Sequence, residues 1–207
     1  MIRHESEDGM NSVHSHATPP RWAEALLRVL LKPSDRESVS GDLLEEYREV
    51  VVPTRGAGAD RWYVRQVSSF LWRASWGWGV VLGGALVIRY LLDTLIPVTD
   101  YSIRATALSW TIIGGCATAG FIAAWRMQSI SAGALTAFTA ALIGAVVSIA
   151  GIAAMLAVWH DPATLDAWRS SGGLDEAFID VPVKLMAIGA AMGTAGALCA
   201  RGAAVVL

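Results

Sequence analysis

The sequence predicts an all-α membrane protein, in which a small cytoplasmic three-helix module is followed by a bundle of four transmembrane helices. Apolar residues make up 54% of the 207 residues and charged residues 16%, whereas soluble domains carry about 25% charged residues. Ten of the 16 Lys and Arg residues and eleven of the 18 Asp and Glu residues precede Ala74, and the remainder contains four apolar segments of spanning length. We therefore expect lipid to surround residues 74–207.

The first 19 residues form a polar tail without apolar periodicity, which we predict to be disordered. Translation could begin at Met1 or at Met10. The tail lacks the apolar core of a signal peptide, so the first span is predicted to direct insertion. The histidines lack cysteine or carboxylate partners at ligand spacing, and we predict neither a metal site nor a cofactor. They are His4, His14, His16 and His160.

Residues 20–73 are predicted to form the cytoplasmic module of three short helices. The first begins at Pro20, and its apolar side chains share one face: Trp22, Leu26, Val29 and Leu30. The second ends near Val51 and carries an apolar stripe, Val39, Leu43, Tyr47 and Val50, with acidic residues mostly facing water, Asp42, Glu45, Glu46 and Glu49. Gly41 within it indicates a close helix crossing. Residues 53–59 predict a loop before a third helix.

The four spans are predicted at about 76–96, 105–125, 131–159 and 181–200. Most basic residues beside the spans fall on one side, including Arg73, Arg126 and Arg201, whereas the opposite side has Arg104 and Arg169 among mainly acidic residues. This distribution predicts that both termini are cytoplasmic. Aromatic residues mark the two membrane interfaces. The predicted inner belt contains Trp72, Trp76, Trp78 and Trp125, and the outer belt contains Tyr101, Trp159 and Trp168.

Charged residues inside the predicted spans are Arg89, Asp93 and Lys184. An intramembrane charge is costly and is usually paired or functional. Arg89 and Asp93 stand four residues apart and can neutralise each other on one helix. Two interpretations stay open: a structural pair whose arginine reaches the headgroups, or a substrate or coupling role.

Small residues recur at four-residue spacing in three spans, which is typical of closely approaching membrane helices. The glycines predicted to pack are Gly79, Gly83, Gly115, Gly189 and Gly193. Packing within the bundle and contacts in a homo-oligomer are both compatible with this pattern.

Motifs of nucleotide binding, metal-dependent hydrolysis and serine nucleophiles are missing from the sequence. We therefore predict that the chain is not an enzyme. Its net charge of −2 gives no basic surface for nucleic acid. Cys116 and Cys199 lie in apolar runs and predict neither a disulfide nor a metal site.

Three blocks of residues 19–73 resemble the permease prefix domain, which precedes the first span of FtsX-like, macrolide-exporter-type ABC permeases. They are PPRWAEALL from Pro19, DRESVSGDLLEEY from Asp35 and RWYVRQV from Arg61. Those permeases carry a large extracytoplasmic domain after their first span, and the predicted connection here is only Pro97 to Arg104. The resemblance implies a prefix-domain protein of a bacterial inner membrane.

The function predicted from these features is that of a non-enzymatic membrane protein, accessory or regulatory to an ABC-type transport system. The module would dock an ABC permease, an ATPase or a cytoplasmic regulator. The residues predicted to dock it are Asp42, Glu45, Glu46, Tyr47, Trp62, Tyr63, Arg65 and Gln66. The alternative is a small transporter or channel subunit that acts as an oligomer, with Arg89, Asp93 and Lys184 along its path.

Overall fold

The computed structural model describes residues 17–96, 102–158, 166, 169–170 and 172–206, and every regular element in these ranges is helical. The chain divides into two compact units, Met1–Leu71 and Trp72–Leu207. The predicted change of composition at Ala74 lies close to this division. The described ranges leave out most of the predicted tail, all four histidines, and Tyr101, Trp159 and Trp168 of the predicted outer belt.

Helix α1 of the first unit spans Arg21–Leu30 and begins after Pro20, whose carbonyl accepts the backbone N–H groups of Ala23 and Glu24. The helix buries Ala23, Leu27 and Leu30, which recur at helical spacing. Trp22, which shares the predicted apolar face with Leu26, is 60% exposed. The core side of α1 is therefore the face that carries Ala23, Leu27 and Leu30.

Helix α2 spans Arg36–Glu46 and continues through a π-helical segment, Tyr47–Val51, into the short helix α3, Val52–Arg55. Gly56–Gly58 then forms a single 3-10 turn. The loop predicted at residues 53–59 is therefore wrong. Pro53 lies in the first turn of α3, directly after the π-helical segment that interrupts the regular hydrogen bonding of α2.

Helix α4 spans Ala59–Leu95, and its first residues, to Leu71, belong to the first unit. The buried apolar residues of this unit come from α1, the π-helical segment and the start of α4. They are Ala23, Leu27, Leu30, Leu31, Tyr47, Val51, Ala59, Tyr63 and Val67. No residue of α2 is buried.

The second unit contains the rest of α4 together with α5, Ser102–Met127, and α6, Ile130–Val158. Its last part comprises a short turn α7, Gly173–Asp175, a π-helical segment, Glu176–Asp180, and helix α8, Val181–Val206. Among the residues that the structure describes, four helical stretches are long and apolar enough to cross a membrane, which confirms the prediction of four spans. The chain is thus a multi-pass membrane protein.

Side-chain size separates the inside of this bundle from its outside. Nine of the ten buried residues of α6 are small, and the tenth is Ile152. Large apolar side chains lie instead on the exposed surface, among them Trp76, Val81, Ile88, Trp110, Trp125 and Val146. Lipid accepts such a surface, whereas water would not. Small residues inside allow the backbones to approach closely.

Contacts at glycine positions define the helix directions within the second unit. Gly79 of α4 lies against Ile143 of α6, and Gly83, one turn later, lies against Val147, also one turn later. Helices α4 and α6 therefore run parallel. Gly115 of α5 lies against Leu82 of α4. Helix α8 packs against both α5 and α6. Apolar residues of all four helices meet in one core, formed by Leu82, Leu86, Ile112, Cys116, Ala140, Ala141, Ala145 and Leu185.

Candidate functional site

An acidic face on helix α2 is the first candidate site, formed by Asp42, Glu45 and Glu46. All three side chains are exposed, and none takes part in an ion pair within the described ranges. A Cβ added at Gly41 would meet nothing within 4 Å, so the close crossing predicted there is wrong. The acidic face is consequently open along its helix.

Tyr47 and Tyr63, both predicted to dock a partner, lie in the core of the first unit. Their exposed fractions are 3% and 1%. Their rings meet edge to face, with centroids 5.5 Å apart and an interplanar angle of 81°, a favourable aromatic geometry. The prediction that Tyr47 lies on the module surface is therefore wrong, since its ring fills the space between two helical segments.

The hydroxyl of Tyr47 donates a hydrogen bond of 2.5 Å to Oδ1 of Asp60, in the first turn of α4. Burial, followed by this hydrogen bond and the negative charge of Asp60, raises the pKa of Tyr47 to about 12. Each effect disfavours the phenolate. Tyr47 therefore stays neutral at physiological pH and ties the π-helical segment to α4.

The other predicted docking residues are Trp62, Arg65 and Gln66, all on the first turns of α4. Arg65 is exposed, and Trp62 and Gln66 are half-buried. The backbone carbonyl of Gln66 accepts a hydrogen bond from the Ser69 hydroxyl at 2.7 Å. Arg65 is the member of this group that remains accessible to a partner.

Two adjoining clefts flank the acidic face within the first unit, with volumes of about 430 Å³ and 270 Å³. Both are lined by Arg28, Glu37 and Ser40. Arg28 forms an exposed ion pair with Glu24 at 2.5 Å. The groove between α1 and α2 thus carries charges of both signs, unlike the wholly acidic face beside it.

A charge cluster in the second unit joins Arg89 and Asp93 of α4 to Arg104 of α5 and Glu176. Arg89 Nε lies 3.1 Å from Asp93 Oδ2, and Arg89 Nη1 lies 3.6 Å from Glu176 Oε1. Arg104 Nη1 lies 3.1 Å from Asp93 Oδ1. The two oxygens of Asp93 are therefore each held by a different arginine.

Arg104 also closes the end of helix α4. Its Nη1 donates to the backbone carbonyls of Leu92 at 3.1 Å and Ile96 at 2.9 Å. The Leu92 carbonyl also accepts the backbone N–H of Ile96 at 2.9 Å, and a cation beside the last carbonyls of a helix is favoured by the helix dipole. The charge cluster thus has a structural task at this end of the span.

A cleft of about 230 Å³ lies beside the charge cluster, between α4, α5 and α8, and we call it the α4–α5–α8 cleft. Its polar lining comes from Arg89, Ser109, Glu176 and Lys184. Its apolar lining is Leu86, Ala105, Leu108, Ile112, Val181, Leu185 and Ile188. Lys184 also pairs with Asp180 at 3.4 Å, and Asp93 is not among the lining residues.

The five glycines predicted to pack all lie at contacts between helices. A Cβ added at Gly79 would lie 2.5 Å from Ile143 Cβ, one at Gly115 would lie 2.9 Å from Leu82 Cδ2, and one at Gly189 would lie 2.5 Å from Ala141 Cβ. One at Gly83 would lie 2.6 Å from the carbonyl oxygen of Gly144. Gly193 is in equally close contact with Ala137.

Sequence reasoning missed Arg104 and Glu176 as members of the charge cluster, and Gly120 and Gly196 as packing glycines. The position of Arg104 could have been predicted, because a short connection joins two antiparallel helices. Residues at equal distances before and after such a connection lie side by side. Asp93 and Arg104 are such a pair. Glu176 carries no comparable signal, because it is distant from Arg89 in the sequence.

No family model, no curated protein and no solved structure matches this chain.

Proposed function

We propose that this chain is a non-enzymatic integral membrane protein of the bacterial inner membrane, accessory or regulatory to an ABC-type transport system. Its first unit binds a partner through the acidic face of α2, and both termini are cytoplasmic. The observation that carries the proposal is that Asp42, Glu45 and Glu46 are exposed on a helix without a buried residue and form no ion pair with any residue that the structure describes. The resemblance of residues 19–73 to the permease prefix domain supports the transport context.

Electrostatics within α2 favours a basic partner. Asp42 stands three and four residues before Glu45 and Glu46, a spacing at which like charges on a helix destabilise it by about 0.2–0.5 kcal/mol per pair. A partner with Arg or Lys at this surface removes that repulsion. Because the carboxylates are exposed, the attraction is screened by salt over about 8 Å at physiological ionic strength.

Recovery of the partner from mild detergent, followed by mass spectrometry, tests this proposal. We expect Glu45→Gln combined with Glu46→Gln to lower the recovery while leaving the helical circular dichroism unchanged. Glu24→Gln is the matched control, because Glu24 is a carboxylate of the same unit that is already paired with Arg28. Recovery of wild-type complex should also fall as salt rises.

Two results would contradict the proposal. Undiminished recovery with the double variant would exclude the acidic face as the binding surface. A recovered partner that is neither an ABC permease nor an ATPase nor a regulator of one would exclude the transport role.

A small transporter or channel subunit, acting as an oligomer, is the second candidate. It is favoured by the position of Arg89 and Lys184 in the lining of one cleft. Purified protein in liposomes should then mediate ion flux that Arg89→Ala abolishes without loss of helical content. The local pairing of Asp93 with two arginines weighs against Asp93 as a carrier on such a path.

A further inference from the structure

The α4–α5–α8 cleft has charged residues at one end and apolar residues at the other. Arg89 lies near the carboxyl end of α4, and Lys184 lies in the first turn of α8, so both charges stand at one end of the spans. Leu86, Ile112 and Ile188 line the cleft farther from the helix ends. The cleft is therefore charged beside the connections between helices and apolar toward the middle of the bundle.

The volume of the cleft limits what it can enclose. At about 230 Å³, it is smaller than the roughly 300–1,000 Å³ of sites that bury a whole drug-sized ligand. A ligand in this cleft extends beyond it, along the outer surface of the spans. That surface is apolar, with Ile88 and Trp110 among its exposed residues. Such a ligand has a polar group and a hydrocarbon chain.

The charged lining specifies the polar group. Arg89 engages Asp93 through Nε and Glu176 through Nη1, which leaves its Nη2 for a further acceptor. The side chain of Lys184 is 68% exposed and its pairing distance to Asp180 is 3.4 Å, so its ammonium can also donate to a ligand. Arginine and lysine together are typical ligands of a phosphate.

Glu176 adds a negative charge to this lining, and its side chain is 48% exposed. A carboxylate beside a phosphate site disfavours a headgroup that is purely anionic. It favours a headgroup that also carries an ammonium with N–H donors. A quaternary amine cannot replace it, because a quaternary amine has no N–H group. The lining therefore complements a phosphate and a primary ammonium within one headgroup.

We propose that the α4–α5–α8 cleft binds one phospholipid with a phosphoethanolamine headgroup. Its phosphate contacts Arg89 and Lys184, its ammonium contacts Glu176, and one acyl chain follows Leu86, Ile112, Leu185 and Ile188. This inference depends only on the second unit and is independent of the partner proposed for the acidic face.

Native mass spectrometry of the full chain tests the site, with the protein released from micelles that contain phosphatidylethanolamine, phosphatidylcholine and phosphatidylglycerol in equal amounts. We expect one phosphatidylethanolamine to be retained per chain in preference to the other two lipids. Glu176→Gln should abolish the preference over phosphatidylglycerol, because the ammonium then loses its charged acceptor.

A matched pair of tryptophan variants tests the location. Ser109 and Thr111 are both exposed on α5 and both donate to the carbonyl four residues earlier, at 2.8 Å, but only Ser109 lines the cleft. Ser109→Trp should fill the cleft and abolish lipid retention, whereas Thr111→Trp should retain the lipid as the wild type does. Both variants keep the charge cluster intact, so folding is not at risk from unpaired charges.

The proposal is overturned if the wild type retains no lipid, or retains the three lipids equally. It is also overturned if Ser109→Trp and Thr111→Trp retain phosphatidylethanolamine to the same extent. Preferential retention that survives Glu176→Gln would refute the assigned role of the carboxylate.

Discussion

Two adjacent glycines of helix α4 allow the packing of the membrane bundle to be tested with one methyl group. A Cβ at Gly83 would lie 2.6 Å from the carbonyl oxygen of Gly144 and 2.6 Å from Val147 Cβ. At Gly84, an added Cβ would meet nothing within 4 Å. Gly83→Ala therefore places a methyl group in occupied space, and Gly84→Ala does not.

The expected magnitude follows from two opposing effects. Alanine is favoured over glycine in a helix by about 1 kcal/mol, and this gain is common to both variants. Overpacking costs about 1–3 kcal/mol and applies only to Gly83→Ala. A change of rotamer cannot relieve the contact with Gly144, because its oxygen belongs to the backbone of α6. We therefore expect Gly83→Ala to be about 1–3 kcal/mol less stable than Gly84→Ala.

The assay is reversible unfolding in mixed micelles of mild detergent and dodecyl sulfate, followed by circular dichroism. The quantity compared is the free energy of unfolding of the two variants, in which the helix-propensity gain cancels. Equal values for the two variants would refute the packing of α4 against α6 at Gly83. Lower stability of Gly84→Ala would refute it as well.

Two further predictions concern single polar contacts. Tyr47→Phe should lower the free energy of unfolding of the first unit by about 1 kcal/mol, because it removes the hydrogen bond to Asp60. Since folding raises the pKa of Tyr47 from 10.0 to about 12, its contribution to stability is present below pH 10 and is lost as the pH rises to 12. An unfolding series over that pH range should show a loss that is smaller in Tyr47→Phe; an equal loss would contradict the assignment. Asp93→Asn should cost about 1.5–3 kcal/mol, because it leaves two arginines without their shared carboxylate. Asp180→Asn, which breaks an exposed pair at the same end of the bundle, should cost less than about 1 kcal/mol in the same assay, and a reversed order would exclude the charge cluster as a stabilising feature.

The number of the spans could be predicted from sequence because it depends on local composition alone. The predicted third span, 131–159, differs little from α6 at Ile130–Val158, since an uninterrupted apolar segment must satisfy its backbone as a helix. The exposure of Asp42, Glu45 and Glu46 could be predicted for the same reason, because a charged side chain remains in water.

Properties that depend on neighbouring elements could not be predicted. Trp22 and Ala23 are adjacent on α1, and the packing of the whole unit decides which one is buried. Residues 53–59 contain a proline and two glycines, yet Pro53 fits a first helical turn and Gly56 supplies a backbone with φ of 50°. The charge cluster combines residues from three separate parts of the chain. The spacing of Arg89 and Asp93 and the position of Arg104 after the short connection are sequence signals, whereas Glu176 has none.

The π-helical segment Glu176–Asp180 connects the residues that precede it to the span that follows, and it determines how the two are oriented around the helix axis. A π turn holds one residue more than an α turn, so deletion of a single residue there would leave a regular helix instead of a break. The residues before the deletion would keep nearly the same position around the helix axis, because five residues of a π turn and four residues of an α turn each make about one turn. Glu176 would therefore stay near Arg89 after that deletion. Deletion of one residue within α8 itself, where each residue turns the helix by about 100°, would instead move the carboxylate out of the charge cluster.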